Sequence, residues 1–469
     1  MSNKGAYQLT PEQLARQEER KRKKQKAQSQ PKKTQLIDEE KGRTIPRTWF
    51  KLQETDSGSA EQRIKIMTWN LLAQCLVRRE LFPNSDCLKA PQREHMIYLE
   101  IASRNADIVC LQEVDRLEKL FPVLESIGYS HTYAAGPRKL HGSLIAYKKN
   151  LFEKVAEKVV FYDDEDIRQN DNERARRGSS FHTKNIANVV ALKAVGSEQQ
   201  GLVVATTHLF WHPKYTYERA RQAGILRREV IWFQKNNGYD DWPCIVAGDF
   251  NAPPDDATYA LLVGDPILPS QEERLSFSRV VHTTIDPSVA VDVPKTLADD
   301  GEGATVQTSE QGEDEPDPDR MITNARRAAP KDGLLTTAEL LDLYSAHDGR
   351  RLKSLYDDGF RLAKAQSNGE KIRVFGDRFS CSEAEGGHRL GMHEPEWTSY
   401  THYWQATLDY IFVMDPPNQI STVFGLLSPL QTEDLKPGLP RLGISGSDHV
   451  SLVAEVAWSK RSDEPQASV

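Results

Sequence analysis

The residues of this 469-residue chain most able to do chemistry stand where short apolar runs stop. Asn70 closes Ile64-Lys-Ile-Met-Thr-Trp-Asn70, Glu113 closes Ile108-Val-Cys-Leu-Gln-Glu113, and His208 closes Val203-Val-Ala-Thr-Thr-His208. Asp249 and Asn251 follow Ile245-Val-Ala-Gly, Asp409 opens Asp409-Tyr-Ile-Phe-Val, and Asp448-His449 lead into a final run. Taken singly, each is a turn acid or a surface imidazole. Together they are carboxylates, amides and imidazoles, with no cysteine, Gly-rich phosphate loop or Ser elbow among them. Hard oxygen ligands in small number suit Mg²⁺, which keeps several waters and binds through one or two carboxylates plus substrate phosphate. Amide and imidazole suit phosphoryl oxygens as donors, and a carboxylate aimed at water suits a base. The chemistry implied is metal-assisted hydrolysis of a phosphate ester.

Such a set requires strands that end on a common edge. Apolar runs at 64–69, 107–112, 143–147, 186–192, 202–207, 244–247, 408–413 and 450–456 read as strands, several buried on both faces. Helical spacing is found at 92–105 behind Pro91, at 217–235 and at 338–344. The mixture is not a clean βαβ alternation, and no repeat of 20–50 residues is found. Two stacked sheets covered by helices suit the length.

Trp69-Asn70, Leu111-Gln-Glu113-Val, Thr207-His208-Leu-Phe-Trp-His212-Pro, Gly248-Asp249-Phe-Asn251, Leu408-Asp409-Tyr-Ile-Phe and Ser447-Asp448-His449 together resemble the ordered motifs of the endonuclease/exonuclease/phosphatase superfamily. Within it the sequence resembles the branch of nocturnin, the Angel proteins and the carbon-catabolite-repressor-type deadenylases, and most of all the yeast NGL RNA exonucleases. The resemblance implies an α+β (α/β sandwich) fold: two mixed β-sheets face to face, helices outside, and the active site at one sheet edge. It implies Glu113, Asn70 and Asp448 at Mg²⁺ (Mn²⁺ a substitute), and Asp249 orienting and deprotonating water with Asn251 on phosphate. It also implies His449 donating to the scissile phosphate, Asp409 orienting it, and His208 at the phosphate. Successive strand residues face opposite sides, so Asp448 is poorly placed to pair with His449, which favours Asp409. His212 reads as structural.

A polyanionic substrate calls for a basic rim. Arg78 and Arg79, Lys139 and His141, and Lys214, Arg219 and Arg221 fall near these strand ends, and His402 and Trp404 belong to an aromatic stretch able to stack a base. The activity implied is a Mg²⁺-dependent 3′→5′ exoribonuclease releasing nucleoside 5′-monophosphates, with the NGL likeness suggesting rRNA 3′-end processing. The alternatives are an mRNA poly(A) deadenylase, a nocturnin-like phosphatase on a phosphorylated dinucleotide, and a non-enzymatic RNA-binding scaffold. The deadenylase pattern has Asn where this chain has His402, and the leucine-rich repeats of the carbon-catabolite-repressor type are missing.

Composition bounds the rest. Only 38% of residues are hydrophobic, and 61 Lys+Arg against 68 Asp+Glu leave a net charge of −7. That balance hides two segments. Residues 1–35 hold ten basic and three acidic side chains, while 299–319 hold nine acids and no Lys or Arg. Neither could bury enough apolar surface to offset the entropy of ordering. The organisation expected is a basic disordered arm at 1–43, a catalytic domain at 44–458 with a disordered acidic insertion at about 285–331, and a tail at 459–469. Five scattered cysteines (75, 87, 110, 244, 381) without a CxxC pair argue against a disulfide framework or structural zinc. No apolar run reaches the length of a membrane span and no secretory h-region is found. The expected location is intracellular, nuclear or nucleolar or cytoplasmic, with the arm favouring the nucleus. The partner expected is RNA, without a membrane or an obligate oligomer.

Overall fold

The structure is a computed structural model that describes residues 36–53, 63–170, 172–197, 199–289, 324–345, 349–366, 372–379 and 389–461. The basic run 1–35, the acidic run 299–319, Cys381 and residues 462–469 lie outside the described residues. Among the described residues no helix is long and apolar enough to cross a membrane.

Two mixed sheets carry the fold, as the resemblance implied. The first contains seven strands in the order β1 (Trp49–Lys51), β16 (Gln419–Leu427), β17 (Leu452–Lys460), β2 (Ile64–Asn70), β3 (Ile108–Val114), β5 (Gly142–Lys148) and β4 (Tyr129–Ala135). The second has six: β12 (Lys353–Ser354), β15 (Asp409–Met414), β9 (Cys244–Asp249), β8 (Gly201–His208), β7 (Ile186–Ala194) and β6 (Phe152–Phe161). Two short antiparallel pairs, β10 (Val280–His282) with β11 (Ala325–Arg327) and β13 (Ser399–Tyr400) with β14 (Gln405–Ala406), complete the strands described.

The sheets mirror each other in design. Each is built around one parallel pair, β2 with β3 and β8 with β9, and every other pairing within the two sheets is antiparallel. Side chains alternate along a strand, so one set of residues meets between the sheets: Ile64, Ile66, Ile108 and Cys110 from the first pair pack with Val204 and Ile245 from the second. The alternate set faces helices. Met67, Trp69, Val109 and Leu111 pack beneath the helix Ala90–Arg104, and Val203, Ala205, Cys244 and Val246 beneath the helix Thr216–Asn237. Strands enclosed on both faces must be apolar throughout their length, which is why they read as continuous runs.

Three expected boundaries shift. Residues 38–43 are not part of an arm: Glu39–Gly42 form a helical turn capped by Asp38, and a Cβ on Gly42 would lie 2.4 Å from His95 O. The described ends of the supposed insertion, 285–289 and 324–331, are folded. Arg326 binds Asp332 in a fork at 2.7 Å through each nitrogen and reaches Asp286 at 2.8 Å, tying β11 to the segment after β10. At the other end of the chain, Ser459 and Lys460 pair with β16.

Candidate active site

The two parallel pairs end at one edge, and the register fixes what stands there. Asn70 lies opposite Gln112 in the first pair, and His208 opposite Asp249 in the second. β15 runs antiparallel to β9, which sets Asp409 opposite Asp249. Asp448 and His449 precede β17, the neighbour of β2. The structure thus gathers Asn70, Glu113, His208, Asp249, Asn251, Asp409, Asp448 and His449 at one edge.

Local backbone aims them. Pairing between β3 and β5 slips between Leu111 and Val114, and Glu113 within this irregularity has φ +55°. A non-glycine residue there is uncommon and costs roughly 1–3 kcal/mol. It turns the carboxylate into the cleft, where Oε1 accepts from Asn70 Nδ2 (2.9 Å) and Oε2 from Ala73 N (2.9 Å). Asn251 also has positive φ, +50°, and donates its N–H to Asp249 Oδ1 at 2.9 Å. Gly248, at φ +156°, lets β9 approach β8 so closely that a Cβ would stand 2.2 Å from Thr207 O.

Asp249 is the hub. Its Oδ2 accepts from Asn70 Nδ2 at 3.0 Å and lies 3.6 Å from His208 Nε2 and 3.7 Å from His449 Nε2. Asn70 therefore ties Glu113 on one sheet to Asp249 on the other. Beyond the hub, His449 Nδ1 meets Asp409 Oδ2 at 2.7 Å. Thr398 Oγ1 accepts from the N–H groups of both Leu408 and Asp409, at 2.8 and 3.0 Å, and fixes this strand end. Ser447 Oγ donates to Asn70 O (2.6 Å), and Trp69 Nε1 to His449 O (2.9 Å), joining β2 to the final segment.

Charge follows geometry. Burial pushes the Glu113 carboxyl up, but His208, His141, the Asn70 amide and the Ala73 N–H outweigh it and hold it at about 2. Burial, joined by repulsion from Glu113, pushes Asp448 up to about 6. For His449, burial opposes the charged ring, yet Asp409, Asp448 and Asp249 prevail and raise it well above the ordinary histidine range.

Among the described residues, two groups of side chains are of a kind that could hold a metal. Ligand atoms of Asp249, Asp409 and His449 lie within 4.8 Å of one another. That group has already committed His449 Nδ1 to Asp409, an arrangement suited to aiming an imidazole. The other group is the wall of Asn70, Glu113 and Asp448. It offers oxygen donors, with the Glu113 carboxyl, despite its burial, held low by His208 and His141. A donor set without a thiolate fits a hard divalent cation.

The expected substrate contacts divide. Lys139 reaches the cleft, which it lines with Glu113, His141, Lys184, Asn185 and His208. Its Nζ donates to Asn185 Oδ1 at 2.7 Å, and Asn185 Nδ2 donates to His208 O at 3.0 Å. Arg78 and Lys214 are exposed, as is Arg79, which donates to Ser85 O at 2.7 Å. His402 is exposed beside Asn84 (3.1 Å). Trp404 packs edge-on against Phe82 and donates to Ser399 Oγ at 3.1 Å. Arg219 is not on the rim. It is 1% exposed and donates to Asp256 Oδ2 at 2.9 Å, Pro213 O at 3.0 Å and His212 O. Arg221 is likewise buried against Glu218 (3.1 Å). His212 is buried. Reading by sequence missed Asn185, whose one signal is a polar residue directly before a buried strand, and Thr398 and Arg93, which gave none.

Fold and site together define a metal-compatible phosphoesterase of the two-sheet type. The family model described as Endonuclease/Exonuclease/phosphatase family matches residues 67–333, and the chain belongs to that family and is a hydrolase. It is 29% identical to a probable RNA exonuclease of Schizosaccharomyces pombe, over 86% of this chain and 77% of that protein. It is 28% identical to the RNA exonuclease NGL2 of Saccharomyces cerevisiae, over 84% and 78%. The crystal structure of ANGEL2, a 2′,3′-cyclic phosphatase, shares the fold with a TM-score of 0.53 at 19% identity, covering 88% of this chain and 98% of that one.

Proposed function

We propose that this protein is a Mg²⁺-dependent 3′→5′ exoribonuclease that releases nucleoside 5′-monophosphates and acts in rRNA 3′-end processing. The observation that carries the reading is the line Glu113–Asn70–Asp249, with the imidazoles of His208 and His449 on Asp249 and Asp409 behind His449. Similarity over most of the chain to proteins named RNA exonucleases supports RNA as substrate.

Asp249 is the base. Oδ1 is held by Asn251 N and Oδ2 by Asn70, so the carboxylate is fixed where it can take a proton from the attacking water. Asp409 holds His449 Nδ1–H and so directs Nε2–H into the cleft, where the imidazolium meets charge developing on the phosphoryl oxygens. His208 faces the same point. Asn251 spends one amide N–H on Leu209 O (3.0 Å) and has a second for phosphate. Glu113, Asn70 and Asp448 would hold Mg²⁺, which supplies neutralisation of the phosphate charge when bound. The described residues from 38 to 460 act as one catalytic domain, and the basic run 1–35 directs the chain to the nucleus.

The test is incubation of purified protein with end-labelled A-rich and mixed-sequence RNAs in Mg²⁺ or EDTA. Shortening from the 3′ end with mononucleotide product, abolished by EDTA and by Glu113→Ala, is expected. Activity indifferent to Glu113→Ala, or none on any RNA, overturns the reading. Digestion confined to A-rich RNA selects the deadenylase, and phosphate release from NADPH without RNA decay selects the phosphatase. Deleting residues 1–35 from a fluorescent fusion tests the nuclear assignment, which fails if the distribution is unchanged.

A further inference from the structure

Arg93 lies in the first turn of the helix Ala90–Arg104, behind the catalytic edge, and is 3% exposed. Burying a guanidinium is costly unless its donors are satisfied. Here they are spent on neutral acceptors from two separate segments. Nη2 donates to Leu71 O and Leu72 O (2.5 Å each), Nη1 to Gln74 Oε1 (3.1 Å), and Nε to Gly446 O (2.6 Å). The peptide groups on the near side face two ways. While the carbonyls of Leu71 and Leu72 accept from Arg93, Leu72 N donates to Asn70 Oδ1 (3.0 Å) and Ala73 N to Glu113 Oε2 (2.9 Å). On the far side Gly446 stands two residues before Asp448, and the segment presses so closely on the helix that a Cβ there would lie 2.8 Å from Arg93 O.

We propose that Arg93 is a positioning residue whose rigid fork sets the spacing between the Asn70–Glu113 and Asp448 halves of the cation wall. The proposal rests on the reading of that wall as the Mg²⁺ site. A planar guanidinium addresses acceptors on both segments at once, whereas a lysine ammonium on a flexible stem preserves the charge without the fork. Outer residues that orient metal ligands are commonly worth about 10–100-fold in metal affinity, and Arg93 falls in that class.

The test measures Mg²⁺ and Mn²⁺ binding to the full chain by calorimetry without RNA, alongside melting in EDTA and RNA turnover across a cation series. Arg93→Met is expected to weaken cation binding about 10–100-fold, Arg93→Lys to leave that loss unrepaired, and Gln74→Ala to lose a smaller part. Lower melting temperature with unchanged cation affinity would make Arg93 a stability residue only, and wild-type affinity in Arg93→Lys would assign the effect to charge; either overturns the proposal. Should Arg93→Met fail to fold, Gln74→Ala decides, and wild-type affinity there overturns it. A wild-type chain that binds neither cation overturns the metal reading itself, a result distinct from wild-type affinity in the variants.

Discussion

His449 Nδ1 and Asp409 Oδ2 meet at 2.7 Å, buried, across 40 residues of sequence, Asp409 opening β15 and His449 lying in the segment before β17. The contact locks the imidazole with Nε2 toward Asp249, and Asn70 continues the connection from Asp249 to Glu113. Asp409, His449, Asp249, Asn70 and Glu113 therefore form one chain of polar contacts across the gap between sheets, hydrogen-bonded except where His449 Nε2 stands 3.7 Å from Asp249 Oδ2. Disturbing one member should alter the others' orientation before it alters the fold.

Replacing Asp409 with Asn should leave the backbone intact, because Thr398 still holds the strand end. The substitution removes the negative partner that keeps His449 charged and correctly turned. General acid–base groups are worth about 10²–10⁴-fold, so a fall in kcat within that range is expected, with KM for RNA little changed. Single-turnover kinetics on labelled RNA, with circular dichroism of the variant, checks this. A fall confined to KM contradicts the assigned role.

How much of this was legible in sequence depends on the range of the forces involved. Strand ends were legible because strands enclosed on both faces must be apolar, so Asn70, Glu113, His208, Asp249 and Asp409 stood out where the runs stop. The Asp409–His449 pair came from the resemblance, with alternation along a strand favouring it. The edge strand β6 was not legible: Phe152–Phe161 interleaves Glu and Lys with Val and covers one face only. Neither was the irregularity that turns Glu113, since it depends on pairing with β5. Arg219 and Arg221 read as part of a basic rim because Asp256, the partner of Arg219, lies 37 residues away, and Arg177 O and Tyr162 O, acceptors of Arg221, lie 44 and 59 away. Arg93 was silent because its acceptors, three backbone carbonyls and the Gln74 amide oxygen, carry no charge to pair with it in sequence.

Glu113 should decide cation binding. A ligand that binds only the folded state stabilises it by RT ln(1 + [L]/Kd), about 2.7 kcal/mol at a hundredfold excess over Kd. Wild-type protein should therefore melt higher in millimolar Mg²⁺ or Mn²⁺ than in EDTA. Glu113→Gln keeps the shape but removes the charge, and should lose most of that shift together with RNA turnover. Differential scanning fluorimetry across a cation series checks it, and an undiminished shift in the variant would place the cation elsewhere.

Arg219→Ala separates structure from substrate binding. Arg219 is buried with Asp256, so removing it leaves a buried carboxylate without its partner, typically at a cost of about 3–5 kcal/mol. Urea unfolding should show the loss, while kcat/KM per folded molecule stays within about twofold at a temperature where the variant is native. A rim role predicts the reverse: wild-type stability with a raised KM for RNA.

His282 should make stability depend on pH. It is buried beside Phe181, ring centroids 5.0 Å apart, and Thr284 N donates to its Nδ1 at 3.2 Å, so the ring is an acceptor and neutral. Burial pushes its pKa down to about 4. An unfolded histidine takes up its proton near pH 6.5, so between these values the unfolded chain binds more protons than the folded one. The stabilising contribution is complete above about pH 6.5 and is lost as pH falls through about 4, with an upper bound of about 3 kcal/mol. Unfolding of wild type and His282→Gln across pH 7 to 4 isolates this contribution. The wild type should lose stability more steeply as the medium acidifies, and parallel curves would show that His282 is not the titrating group.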